Sequence, residues 1–166
     1  MIVLGIDPGL NTSGYGIIRI ERTRIYFVAA GAISTAKATC FPEKLEILHT
    51  TCSEIIDDYR PDVYAIEETF SNINPRTSLK LGHARGVLML SAQEKGCPVF
   101  EYPATIVKKS LTGSGSATKE QVKYMVLKML KIPELSGKMD ISDALAVAIT
   151  HYHQMRFNIL KTGSGS

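Results

Sequence analysis

The sequence has no apolar run that could cross a bilayer. Stretches such as Val87-Leu88-Met89-Leu90 fall far short of the roughly 20 residues such a span needs. No basic segment precedes the apolar opening Met-Ile-Val-Leu-Gly-Ile-Asp, and Asp7 interrupts it. A secretory leader is therefore not expected, and a cytoplasmic location is. Cysteine is scarce: Cys40, Cys52 and Cys97 are an odd number without CxxC spacing. That excludes a disulfide framework and a zinc knuckle and leaves buried free thiols as the expectation. No internal repeat is visible.

What is present is a chain of 166 residues, 45% hydrophobic and 21% charged. This is the composition of a globular protein with one core, not of a disordered chain or a fibre. One domain is expected over residues 1–155, followed by a short polar tail over 156–166. The net charge of +3 is unevenly spread. Ten basic residues against three acids give the segment from Arg76 to Lys131 a charge of +7, and the remainder carries −4. A basic middle with acids elsewhere suits a protein that holds a polyanion and does metal chemistry beside it.

Apolar patterning predicts three opening strands: Ile2 to Ile6 ending at Asp7, Gly14 to Ile20, and Thr23 to Ile33. Short connections make them an antiparallel meander. Leu45, Leu48, Cys52, Ile55 and Ile56 recur at helical spacing after Pro42, and Pro61 stops that helix. Asp62 to Glu67 reads as a fourth strand, a helix follows from Pro75, and Pro98 to Tyr102 reads as a fifth strand. Leu111 to Ala117 is a mobile loop by composition. Thr118 with Gln121 forms a capping-box signal for the next helix, and a last helix is expected from Asp140 or Ser142 to about Met155. The order β-β-β-α-β-α-β-α-α is that of an α/β protein with an RNase H-like mixed sheet, three antiparallel strands then two parallel, flanked by helices.

Acids stand where these elements end. Asp7 closes the first strand, Glu67 and Glu68 the fourth, and Asp140 and Asp143 lie three apart at the start of the last helix, on one face. Ligand sites in such sheets form at the carboxyl ends of adjacent strands. Neighbouring strand residues point to opposite faces, so at most one of Glu67 and Glu68 can join the cluster, and the alternation alone does not choose. Clustered carboxylates need cations, and an oxygen-only set selects hard ions, so Mg²⁺ or Mn²⁺ is implied. Two such ions would suit phosphodiester cleavage.

Gly5-Ile6-Asp7-Pro8-Gly9-Leu10-Asn11-Thr12-Ser13-Gly14-Tyr15-Gly16 resembles the N-terminal signature of the RuvC family of bacterial Holliday junction resolvases. Ala65 to Phe70 resembles its second acidic motif. Leu79 to Val87 and Val99 to Tyr102 resemble the segments that follow, and Asp140 to His151 resembles its C-terminal acidic helix. The match runs in order over nearly the whole chain. It implies that Asp7, Glu67, Asp140 and Asp143 are the catalytic acids and metal ligands, which selects Glu67 over Glu68. It also implies an endonuclease that cuts four-way junction DNA in recombination and repair. A homodimer is expected for symmetric incision, with its face on the helix from Pro75 through Gly82, Ala84 and Gly86. A RuvA–RuvB branch-migration partner is implied by the resemblance alone.

For DNA binding, the resemblance implies that Phe70 stacks on a base near the junction centre, where the residue on its own would equally read as a core aromatic. Lys108 and Lys119 match basic positions that the family uses near the cleaved strand, and Arg76 and Lys80 are further candidates for backbone contacts. Lys109 reads as a solvated neighbour, and His83, His151 and His153 as packing or surface residues. An actin-like ATPase or kinase would share the Asp7-Pro8-Gly9 turn but needs two such domains. A non-catalytic junction-binding module would lack one of the acids, and all four are present. A nuclease of the same fold acting on RNA–DNA hybrids is separable only by a substrate panel.

Overall fold

Four consecutive buried residues, Val3 to Ile6, make β1 (Ile2–Asp7) a strand covered on both faces. It is the centre of the sheet in a computed structural model that describes residues 1–68, 74–134 and 139–163. The side chains of Met139, Asp140, Leu160 and Thr162 are excepted. β2 (Thr12–Glu21) and β3 (Arg24–Ser34) complete the antiparallel meander. β4 (Val63–Glu68) and β5 (Val99–Pro103) add in parallel on the other side of β1, giving the order β3-β2-β1-β4-β5. This is the mixed sheet expected from the sequence.

The helices are α1 (Phe41–Tyr59), α2 (Pro75–Glu94), α3 (Ala104–Thr112), α4 (Lys119–Leu130) and α5 (Met139–Gly163). They divide the core in two. Leu4, Ile6, Ile17, Tyr64 and Ile66 pack against α1 and α2 on one face. Val3, Ile18, Ile20, Val63 and Ala65 pack against α3, α4 and α5 on the other. The alternation along β1 and β4 follows from the period of two. No helix among the described residues is long and apolar enough to cross a membrane.

Several local expectations change. α3 occupies residues that carried no helical expectation. It is short, has no side-chain N-cap, and buries only Val107 and Leu111. The Gly-Ser segment is shorter than its composition suggested. Gly113 takes the left-handed conformation that ends α3, Leu111 and Ala117 are buried, and Ser114 and Ser116 hydrogen-bond to each other. The Thr118–Gln121 capping box forms as expected. α5 runs on to Gly163 where an end near Met155 was expected, with residues 156–159 exposed.

α5 lies unusually close to the sheet. Gly5 and Gly16 are partners across β1 and β2. A Cβ on Gly5 would stand 2.2 Å from the Ala144 carbonyl oxygen, and one on Gly16 would stand 2.6 Å from Leu145 Cγ. Only glycine leaves room for the backbone approach that seats the first turns of α5 beside the end of β1.

Candidate active site

The two faces of the sheet decide where each acid points. Ile6 and Ile66 are register partners at the ends of β1 and β4, and both face α1 and α2. Asp7 and Glu67, one residue further on, therefore turn together toward α5, and Glu68 turns away. Asp143 is on the first turns of α5, just before the Ala144 that sits on Gly5. Asp7, Glu67 and Asp143 line one cleft at the carboxyl edge of the parallel strands. Its other walls are Ala104, Val107 and Lys108 of α3 and Lys119 and Val122 of α4. The unexpected helix α3 thus forms one wall of the site. Asp140 lies on the first turn of α5, but its side chain is outside the described residues, and so is the whole of Phe70.

The electrostatics of the cleft are strongly coupled. Burial first, and then the charge of Asp143, push the Glu67 carboxyl up to about 7, against the opposing pull of Lys119 and Lys108. Lys119 Nζ donates to Asp143 Oδ2 at 2.7 Å. That hydrogen bond, with the charges of Asp143, Asp7 and Glu67, holds the Lys119 ammonium above its ordinary value despite partial desolvation. Among the described residues, no three Asp, Glu, His or Cys side chains converge as a ready ligand set. A lysine stands among the carboxylates instead. The donors themselves fit a hard divalent cation. They are all carboxylate oxygens, and a carboxyl driven toward neutrality by burial and a second acid lacks a cation's charge.

The DNA-binding candidates separate. Lys108 and Lys119 line the cleft, and Lys109 is exposed beside it. Arg76 and Lys80 lie on the exposed start of α2, and neither lines the cleft. Lys80 sits over the Phe41 ring, 5.5 Å from its centroid, beside a second groove shared with Leu10, Asn11 and Lys44. Lys44, which sequence reasoning passed over, donates to Asn11 Oδ1 at 2.6 Å.

Sequence reasoning also missed Tyr102. It is the register partner of Glu67, and its hydroxyl lies 2.8 Å from Nδ1 of His151 on α5. The Phe100 ring covers the same imidazole, with centroids 4.7 Å apart. Burial lowers the His151 pKa and raises Tyr102 to about 12, so both stay neutral near pH 7. The pair ties the strand beside Glu67 to the helix that carries Asp143. Only His151's place in the Asp140–His151 segment hinted at it.

Comparison with known proteins gives a consistent result. Residues 3–151 match the family model described as crossover junction endodeoxyribonuclease RuvC. The RuvC of Citrifermentans bemidjiense is 48% identical over 160 residues, covering 96% of this chain and 97% of the relative. The structure of Thermus thermophilus RuvC superposes with a TM-score of 0.86 at 32% identity, over 95% of this chain and 97% of that one. The same protein in complex with Holliday junction substrate gives 0.85 at 30% identity, over 95% and 96%.

Proposed function

The chain belongs to the RuvC family of crossover junction endodeoxyribonucleases, and on that premise we propose how its cleft cuts DNA. It is a nuclease that resolves four-way (Holliday) junctions. The observation that carries the mechanism is that Asp7, Glu67 and Asp143 line one cleft with Lys108 and Lys119 at one sheet edge.

In this reading Asp7, Glu67, Asp140 and Asp143 hold Mg²⁺, two ions in all, with Mn²⁺ able to substitute. When bound, divalent ions supply an activated water and charge stabilisation at the leaving oxygen. The residues of the chain do the rest. Glu67 and Asp143 are fixed by a strand end and a helix start, so their carboxylates need little reorganisation. Lys108 on the α3 wall offers its ammonium to the phosphate of the scissile strand. Val107 and Val122 keep that end of the cleft apolar, which strengthens every charge interaction inside. Phe70 stacks on a base near the crossover, and Arg76 and Lys80 meet backbone phosphates further out.

Two symmetric cuts need two clefts, hence a two-fold homodimer. α2 supports this, with one refinement. Ala84 is fully buried in the chain's own core with Leu88 and Ala92, so it does not belong to the outer face. The outward face is Leu79, Gly82, His83, Gly86 and Leu90. Leu79 is 65% and Leu90 49% exposed, and a Cβ on either glycine would meet nothing within 4 Å. An apolar stripe with room at its glycines suits a closely packed second copy. The family also points to cytoplasmic DNA and to a RuvA–RuvB branch-migration partner.

The test is incubation with a synthetic four-way junction, with and without Mg²⁺, mapping cuts on every strand. Paired cuts on opposite arms that require the ion are expected. Equal cutting of an RNA–DNA hybrid would replace the junction reading with that of a hybrid nuclease.

A further inference from the structure

Lys119 places its ammonium among the acids of the cleft. Its ammonium is 2.7 Å from Asp143 Oδ2 and also within the electrostatic reach of Asp7 and Glu67. Its backbone is not free to wander. Lys119 is the first residue of α4 and lies inside the capping box in which Gln121 N donates to Thr118 Oγ1 at 3.3 Å and Thr118 N donates to Gln121 Oε1 at 2.9 Å. A cation at a helix N-terminus opposes the helix dipole. Something must favour it there, and the acids across the cleft are that partner.

The two ends of the ion pair differ in freedom. The Asp143 side chain is 12% exposed and the Lys119 side chain 58%. A flexible four-carbon stem with most of its length in solvent can swing aside, whereas the carboxylate cannot leave. Lys108 provides a contrast within the same cleft. It adds its charge to the field at Glu67, yet among the described residues no ion pair joins it to an acid.

We propose that Lys119 is a built-in counterion that competes with the divalent cation for Asp143, and that its ammonium is released to meet DNA phosphate only when the cation takes its place. This rests on the reading of the cleft as the metal site and adds a regulation to it. Lys119 sets how tightly the cation binds and makes one phosphate contact conditional on it. Without a divalent ion, Lys119 neutralises the acids that would otherwise repel one another and the DNA.

The consequence is measurable without DNA or activity. Mn²⁺ alone is titrated into the full-length protein and the free ion is read by electron paramagnetic resonance. Lys119→Ala should bind Mn²⁺ roughly tenfold more tightly than wild type, the scale expected when a charge-assisted hydrogen bond no longer competes. Lys108→Ala removes the same charge from the same cleft without removing a competitor, and should tighten binding by less than about threefold on field effects alone. Unchanged or weaker binding by Lys119→Ala overturns the proposal, and so does an equal gain in both variants, which would reduce Lys119 to one more positive charge. Asp143→Asn separates the two levels. It should lose most Mn²⁺ affinity. If it binds as wild type does, the assignment of the cleft as the metal site is wrong and the role of Lys119 falls with it. Lys119→Met, which keeps most of the stem without its charge or donors, serves as the second variant and should behave as Lys119→Ala does.

Discussion

Glu67 and Glu68 leave β4 on opposite faces of the sheet. Tyr64 and Ile66 anchor one face on α1 and α2, and Val63 and Ala65 anchor the other on α3, α4 and α5. The period of two then sends Glu67 into the cleft and Glu68 away from it. Glu67→Gln should abolish cleavage in Mg²⁺, and Glu68→Gln should retain most of it. Junction cleavage rates for the two variants check this, and equal losses would contradict the register.

Glu67 should also make stability depend on pH. Its folded pKa is raised to about 7 from an ordinary carboxylate value of 4.5, chiefly by burial. The folded state therefore holds a proton that the unfolded state has released. Its contribution is fully present below about pH 4.5 and is lost as pH rises through about 7. The lost part is on the order of 3 kcal/mol at high pH. Without a divalent ion, wild type should lose more stability between pH 5 and 8 than Glu67→Gln does. Adding Mg²⁺ should raise the melting temperature more at pH 8 than at pH 5, because the ion favours the charged form. Thermal unfolding at the two pH values, with and without Mg²⁺, measures both effects.

The seat of α5 gives a third prediction. Gly5→Ala would set its Cβ 2.2 Å from the Ala144 carbonyl and 2.9 Å from the Ala148 Cβ, so the helix must move. Overpacking of this kind costs about 1–3 kcal/mol. The shift also carries Asp143 away from Asp7, so cleavage should fall by more than the lost folded fraction explains. Gly86→Ala is the counterpart within one protomer, because nothing in the chain stands within 4 Å there. The isolated protomer should gain up to about 1 kcal/mol from helix propensity, and any cost should appear in dimer formation alone, since Gly86 lies on the proposed dimer face. Chemical denaturation beside cleavage of folded protein separates the two glycines.

The exposed stripe of α2 should control oligomeric state. Leu90 is 49% exposed and shares that face with Leu79 and Gly86. Leu90→Glu should leave the unfolding free energy of the monomer within about 0.5 kcal/mol of wild type, as surface substitutions generally do. It should shift the protein from dimer to monomer in sedimentation and replace paired incisions with scattered single nicks. A stable dimer in this variant would move the interface elsewhere.

The sheet was legible in the sequence because apolar runs such as Ile2 to Ile6 and the acids ending them are local patterns. So was the helix start at Thr118, where two residues three apart carry the signal. The helix α3 was not, because nine residues with two buried positions and no side-chain cap leave almost no periodicity to read. The choice between Glu67 and Glu68 depends on which helices cover each face of β4, and only the resemblance supplied it. The Lys119–Asp143 and Tyr102–His151 contacts join residues far apart in the chain, and nothing in the composition of either segment announces its partner. The glycine seat emerges only once Gly5 and Gly16 are known to be register partners.

The last prediction separates attraction from positioning. Each phosphate contact releases counterions and adds close to a unit to the slope of log affinity against log salt. Lys108 lines the cleft, so Lys108→Ala should flatten that slope by about one unit and weaken binding to junction and plain duplex alike. Phe70 carries no charge, and its proposed role is to stack on a base at the opened crossover. Phe70→Ala should leave the slope unchanged and reduce junction cleavage far more than junction binding, because stacking places the scissile strand instead of drawing the DNA in. A phenylalanine whose role is in the core would behave differently. Its truncation would cost about 3–5 kcal/mol of stability, and every activity would fall together. Melting temperature, salt-dependent binding and cleavage measured on the same preparation distinguish the two. A stable variant that binds junctions and cuts them poorly supports stacking, and an unstable one refutes it.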